Sequence, residues 1–283
     1  MIQSDEPYVR HDTLPAPSPL DLTRTAMFLD LDGVLAPIAA RPGDVGPDPS
    51  RRAVLNQLVT ATGGRVAVVS GRALADIDRI LEGVVTAVGA VHGLVRRRAD
   101  GTILSPPPPR GMEEAVGAVS LFAESRSGLL VERKGVAVAL HFRGAPELGA
   151  ACHDLADRLA ARLDLQIQRG DHVVELRGRG PDKGAALRAF MDEAPFHGYA
   201  PLFLGDDLTD EAGFRAAQDF GGLAIIVGTR RPTAATHALP DVAAALAWLG
   251  ASTGSENRSE PASTAPMPND NTGLGNDREG HSL

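Results

Sequence analysis

Apolar and polar positions follow two different rhythms along this chain. From residue 27 to residue 88, short apolar runs alternate with stretches whose apolar residues recur every three or four positions. The runs at 27–29, 65–69 and 84–88 predict buried strands. Val54, Leu55, Leu58 and Val59 give residues 49–62 a helical face that Gly63 and Gly64 close, and a second helix is expected over 74–81. Strand and helix in strict alternation predict a parallel sheet with helices on both faces. The same rhythm returns after residue 183, with helices expected at 183–192, 209–218 and 242–249 and strands at 201–204 and 223–227.

Between these halves the pattern changes. The prolines at 106–109 form a stiff linker, read here as a domain hinge. Helices are expected at 112–125 and 147–163, each followed by a pair of short strands, at 128–132 with 135–142 and at 166–169 with 172–176. In the second strand Val136, Val138 and Leu140 fall on one face and Ala137, Ala139 and His141 on the other. Helix and hairpin, twice over, predict an antiparallel sheet covered by two helices. The fold class expected is α/β, a doubly wound parallel-sheet (Rossmann-like) core with an inserted α+β cap domain. The expected divisions are a flexible segment at 1–23, core at 24–104, cap at 105–180, core again at 181–250 and a disordered tail at 251–283. The tail has almost no large apolar residues with which to offset its ordering entropy.

Composition narrows the function. Hydrophobic residues make up 43% of the chain, enough for a packed core. Aromatics at 4% and a formal net charge of -8 speak against a nucleic-acid partner. No apolar run approaches the ~20 residues of a membrane span, and the first 20 residues lack the pattern of a signal peptide. One cysteine, Cys152, allows no internal disulfide and fits a cytoplasmic protein with a buried structural thiol.

Four places carry candidate chemistry. The run at 27–29 ends in Asp30, Leu31, Asp32 and Gly33, so two carboxylates leave one strand end together. Carboxylates that crowd one another need a balancing charge, and magnesium takes oxygen ligands of this kind. Ser70 follows the second strand, and Asp206 and Asp207 follow the strand at 201–204; both positions also suit helix capping. Lys183 opens a helix, the end at which a positive charge is unfavourable unless an anion binds there. In α/β sheets ligands bind beyond the carboxyl ends of strands.

DLDGVL, Ser70, Lys183 and GDDLTDE together resemble the four motifs of the haloacid-dehalogenase superfamily of phosphohydrolases. That resemblance implies Asp30 as nucleophile, forming an aspartyl-phosphate, and Asp32 as acid and base, its proton affinity raised by neighbouring carboxylates. Ser70 would hydrogen-bond the transferring phosphoryl group and Lys183 would neutralise its charge. Mg2+ would be held by Asp30, the main-chain carbonyl of Asp32, and Asp206, with Asp207 and Asp210 supporting the metal or the lysine. SGR at 70–72, VHG at 91–93, VERKGVAVALHFR at 131–143 and PLFLGDDLTDEAGF at 201–214 narrow the resemblance to the trehalose-6-phosphate phosphatases, over about residues 25–249. It implies Glu132, Lys134 and Glu175 as cap residues that grip the disaccharide, with Arg72, His141 and Arg143 beside them. The implied substrate is the small molecule trehalose 6-phosphate. Leu31, Val34 and Leu94–Val95 depart from the family pattern without touching an implied catalytic group. A capped phosphatase for another sugar phosphate, or a silent sugar-phosphate binder, are the competing readings.

Overall fold

The computed structural model describes residues 14–254. The outer parts of the expected N-terminal segment and C-terminal tail lie outside the described residues. The first half of the core runs β1 (Thr25–Leu29), α1 (Pro49–Ala61), β2 (Val66–Val69), α2 (Leu74–Leu81) and β3 (Ala87–Ala90). Two short strands follow, β4 (Val95–Arg97) and β5 (Ile103–Leu104). The inserted part runs α3 (Met112–Glu124), β6 (Leu130–Arg133), β7 (Ala137–His141), α4 (Gly149–Leu163), β8 (Gln166–Gly170) and β9 (Val173–Arg177). The core resumes with α5 (Lys183–Met191), β10 (Ala200–Gly205), α6 (Glu211–Asp219), β11 (Leu223–Val227), β12 (His237–Leu239) and α7 (Val242–Gly254).

The eight-stranded sheet has the order β12-β11-β10-β1-β2-β3-β4-β5. Its first six strands are parallel, and β4 and β5 add on antiparallel. Alternate residues of β1 serve opposite layers. Met27 and Leu29 pack with Leu55, Ile77 and Leu249 from α1, α2 and α7. Phe28 packs with Leu187, Phe190 and Phe214 from α5 and α6. Each such side chain contributes about 1.5–3 kcal/mol by leaving water, and β1 contributes in both directions. The chain leaves β1 toward β2 and returns on its other side as β10, so the strand order reverses at the carboxyl end of β1. Such a reversal opens a crevice suited to ligands.

The four-stranded antiparallel sheet, β6-β7-β9-β8, is likewise two-sided. Val138, Leu140, Val174 and Leu176 bury against Met112, Val116, Cys152 and Leu159 of α3 and α4. The opposite face carries Glu132, Ala139, Glu175 and Gln168 in direct register across all four strands. Small Ala139 sits fully buried between the two glutamates.

The structure departs from expectation at four points. The strand predicted at 84–88 lies at Ala87–Ala90, because Val85 buries from the preceding turn. β4 and β5 were not expected: they are three and two residues long, and in β4 Arg96 and Arg97 pair with Glu193 and Asp78. Residues 14–23 are not a loose lead-in. Leu22 is fully buried, Ser18 O accepts from Trp248 Nε1 at 3.2 Å, and Pro15 O accepts from Ala238 N at 3.0 Å. The last helix also runs beyond residue 250, to Gly254. Among the described residues no helix is long and apolar enough to cross a membrane.

Candidate active site

Asp30 stays tied to the sheet, its N–H donating to Leu204 O at 2.9 Å. The chain then turns sharply, with Leu35 N and Ala36 N both donating to Leu31 O. Gly33 has φ 74°, and a Cβ there would stand 2.0 Å from Asp206 Oδ2. Only glycine therefore lets this turn lie against the Asp206 carboxylate and keep it beside Asp30.

Lys183 fills the crevice from the other side. Asp182 caps α5, accepting from Ala185 N at 2.8 Å, and sets Lys183 at the first helical position. The ammonium is 2.8 Å from Asp30 Oδ2 and 2.7 Å from Asp210 Oδ1. Asp210 Oδ2 accepts from Asp206 N at 3.0 Å and Asp207 N at 3.1 Å, so this fully buried carboxylate fixes both the lysine and the turn after β10. Burial opposes the lysine's charge, but Asp210 and then Asp30 outweigh it and hold Lys183 above the ordinary lysine range. Burial first, then Asp210, pushes Asp206 up to about 7. Burial also raises Asp30, against the pull of Lys183.

Oxygens of Asp30, Asp206 and Asp210 all lie within 4.8 Å of one another. Three carboxylates against one ammonium leave an excess of negative charge, and all the donors are hard oxygens. The set fits a divalent cation. Asp210 has both oxygens engaged, which leaves Asp30 and Asp206 as the side chains with capacity for it.

Asp32 stands apart from this cluster. Both its oxygens face Arg72, with Nε at 2.7 Å and Nη2 at 2.8 Å. Its nearest charged partner is thus a guanidinium and not the expected carboxylates. Arg72 uses its remaining Nη1 on Pro42 O at 2.8 Å and on Asp76. Arg72 thus lines the cavity while holding Asp32 in a bidentate grip, a pairing across 40 residues that no local pattern announces. Ser70 does not cap the next helix, whose cap position is Ala73; its Oγ accepts from Arg72 N at 3.2 Å.

The cap supplies the facing wall. Lys134 Nζ is 2.5 Å from Glu175 Oε2 and 3.8 Å from Glu132 Oε2, and it donates to Gly71 O of the core at 2.8 Å. Burial opposes its charge, and Glu175 and Glu132 more than offset that. His141 Nε2 meets Glu132 Oε2 at 2.9 Å. Arg143 reaches Asp171 Oδ2 at 2.6 Å at the outer edge. One cavity of about 350 Å³ is lined by Asp30, Asp32, Ser70, Arg72, Glu132, Lys134, His141, Arg143, Glu175, Lys183, Asp206 and Asp207. Asp210 lies behind it. His92, which the sequence offered only within the VHG motif, also lines it, as do Gln168, Asp171, Thr209 and the exposed Ile38, which sequence reasoning missed. Gln168 was within reach, because strand alternation puts it on the face of Glu175. The strongest missed signal is the lysine count: the chain has two, Lys134 and Lys183, and both line this cavity.

A family model described as trehalose-phosphatase matches residues 28–243. The trehalose-6-phosphate phosphatase of Escherichia coli (strain K12) is 38% identical over 227 residues, covering 79% of this chain and 85% of the relative. The probable trehalose-phosphate phosphatase of Sinorhizobium fredii is 35% identical over 252 residues, covering 88% and 94%. A solved structure, the C-terminal domain of C. albicans trehalose-6-phosphate phosphatase, superposes with a TM-score of 0.73 over 85% of this chain and 98% of that one. At 21% identity that likeness speaks for the fold. A sequence match over most of the chain, a shared fold and an acidic crevice with a buried lysine agree: the chain belongs to the trehalose-phosphatase family, and is a phosphatase.

Proposed function

We propose that this chain hydrolyses trehalose 6-phosphate to trehalose and inorganic phosphate, with Mg2+ as its cation. The observation that carries the reading is the cluster of buried Asp30, Asp210 and Lys183 with half-buried Asp206 at the carboxyl end of the central strand, facing a cap lined with sugar-compatible groups. Asp30, Asp206 and the main-chain carbonyl of Asp32 would hold the Mg2+, which when bound would offset the negative charge of the carboxylates and the phosphate.

An oxygen of Asp30 attacks phosphorus, and the bond from phosphorus to the sugar oxygen breaks with its electron pair going to that oxygen. Asp32 supplies the proton that the departing oxygen needs, which requires its carboxyl to turn away from Arg72. Water then attacks the aspartyl-phosphate, giving its proton to Asp32 and restoring Asp30. Lys183 stays charged throughout and stabilises the phosphoryl oxygens, and Ser70 Oγ donates to one of them. Asp210 holds Lys183, and Asp207 supports the same turn. On the cap, Glu132 and Glu175 accept from sugar hydroxyls while Lys134, with His141 and Arg143 nearer the mouth, donates. A cytoplasmic setting, where a sugar phosphate is at hand, goes with this reading.

The test is phosphate release from a panel of sugar phosphates, with and without chelator, beside Asp30→Asn. Preference for trehalose 6-phosphate, lost in both controls, is expected. Preference for a different sugar would keep the phosphoryl chemistry and overturn the cap assignment. Tight binding without any release would make the protein a sensor.

A further inference from the structure

The turn after β3 is strained in a way that the chemistry above does not use. Val91 and His92 both have left-handed backbones, with φ 49° and 57°. For a β-branched residue such as Val91 that conformation is costly, so the surroundings must impose it. Val91 N donates to Arg72 O and His92 N to Ser70 O, each at 2.9 Å. These bonds pin the turn to the Ser70–Arg72 loop and lay the imidazole over Gly71, where a Cβ would stand 2.7 Å from the ring.

The ring so placed points at the cap. His92 Nε2 is 4.0 Å from Glu175 Oε1. Glu175 Oε1 is buried without a hydrogen-bond partner among the described residues, and so is His92 Nδ1. Burial, then Lys183, Lys134 and Arg177, hold the imidazole well below its usual pKa, so it is neutral and carries one N–H. Placing that hydrogen on Nε2 leaves only a lone pair at Nδ1, which is less costly to bury than an unpaired N–H. The two atoms are about 1 Å too far apart for a hydrogen bond. Lys134 already ties the other oxygen of Glu175 to the core through Gly71 O.

We infer that His92 is a positioning residue for sugar recognition: a small closure of the cap brings its Nε2–H onto Glu175 Oε1 and fixes that carboxylate between Lys134 and the core. The remaining lone pairs of Glu175 then face the cavity in one orientation. The inference rests on the proposed role of Glu175 in gripping the sugar. It extends the binding surface to a core residue that touches the ligand's partner and not the phosphoryl group.

A double-mutant cycle tests it, using the sugar phosphate that the enzyme turns over best. His92→Gly removes the ring and relaxes the backbone; His92→Gln keeps an N–H at the reach of Nε2. The expected result is a rise in KM of about tenfold for His92→Gly, a smaller change in kcat, and recovery of most of the loss in His92→Gln. In a Glu175→Gln background, His92→Gly should add less than about twofold. Independent, multiplying effects overturn the inference, as does a Gln variant no better than Gly or an effect confined to kcat. If Glu175→Gln raises KM and His92→Gly does not, this inference falls and the cap reading stands. If Glu175→Gln leaves KM untouched, both fall together.

Discussion

Lys183 and Lys134 stand on opposite walls of one cavity, and their surroundings differ in charge. On the core side a single ammonium serves Asp30 and Asp210 directly, with Asp206 close by. On the cap side the ammonium meets Glu175 closely and Glu132 more loosely, while Glu132 also has His141 and Lys134 has a neutral carbonyl. The core cluster is therefore left with an excess of buried negative charge that a cation can relieve. The cap cluster is closer to balance and keeps hydrogen-bonding capacity, which suits uncharged hydroxyls. Elsewhere the chain takes its positive side-chain charge from arginine. An ammonium offers a compact charge with donors in three directions, where a guanidinium offers a planar fork, and the two lysines are used where one charge must meet several oxygens. The difference teaches that the two walls do separate work, phosphoryl chemistry on the core and sugar choice on the cap.

The sharpest way to break this comparison is to disable one wall. Asp30→Asn removes the nucleophile while keeping its shape, and kcat for phosphate release should fall by at least about 10³. A fall of only a few-fold would remove Asp30 from the chemistry. Lys183→Met should cost about 3–5 kcal/mol of stability, because it leaves Asp30 and Asp210 buried without their cation. Denaturant unfolding measures that loss, and added Mg2+ should recover part of it.

The cation itself sharpens the contrast. Saturating Mg2+ at about 100 times its dissociation constant should stabilise the protein by about 2.7 kcal/mol, read as a rise in Tm. A metal must displace the proton from Asp206, whose affinity burial and Asp210 push up to about 7. Protonation below that value opposes the cation, so its apparent affinity should weaken as pH falls through about 7, which calorimetric titration at several pH values would show. At the small end, Arg188→Ala removes an exposed pair with Asp219 and should cost less than about 1 kcal/mol. A larger loss would show that the buried clusters are not special.

Much of the core was legible from periodicity. Helix α2 falls at Leu74–Leu81 and strand β11 at Leu223–Val227 as expected, because each is a dense apolar pattern between clear breaks. Strands β4, β5 and β12 were not legible, since each is only two or three residues long and too short to show an alternating pattern. The cap's inner face followed from the alternation around Ala139 once its register was known. The side-chain pairing at Asp32 did not, because Arg72 reaches it from another loop and burial decides which carboxylate it takes. The VHG motif was visible, but the strain at His92 was not: its left-handed backbone is imposed by hydrogen bonds to the Ser70–Arg72 loop and not by its own sequence.

The division between the two walls is tested most directly by one ratio, kcat/KM for trehalose 6-phosphate over kcat/KM for p-nitrophenyl phosphate, in wild type and in Glu175→Gln. The aryl phosphate offers the cap no sugar hydroxyls. The expected result is a ratio that falls about tenfold, carried by the sugar phosphate. Equal losses on both substrates, or a ratio that does not move, would contradict the separation of sugar choice from phosphoryl chemistry.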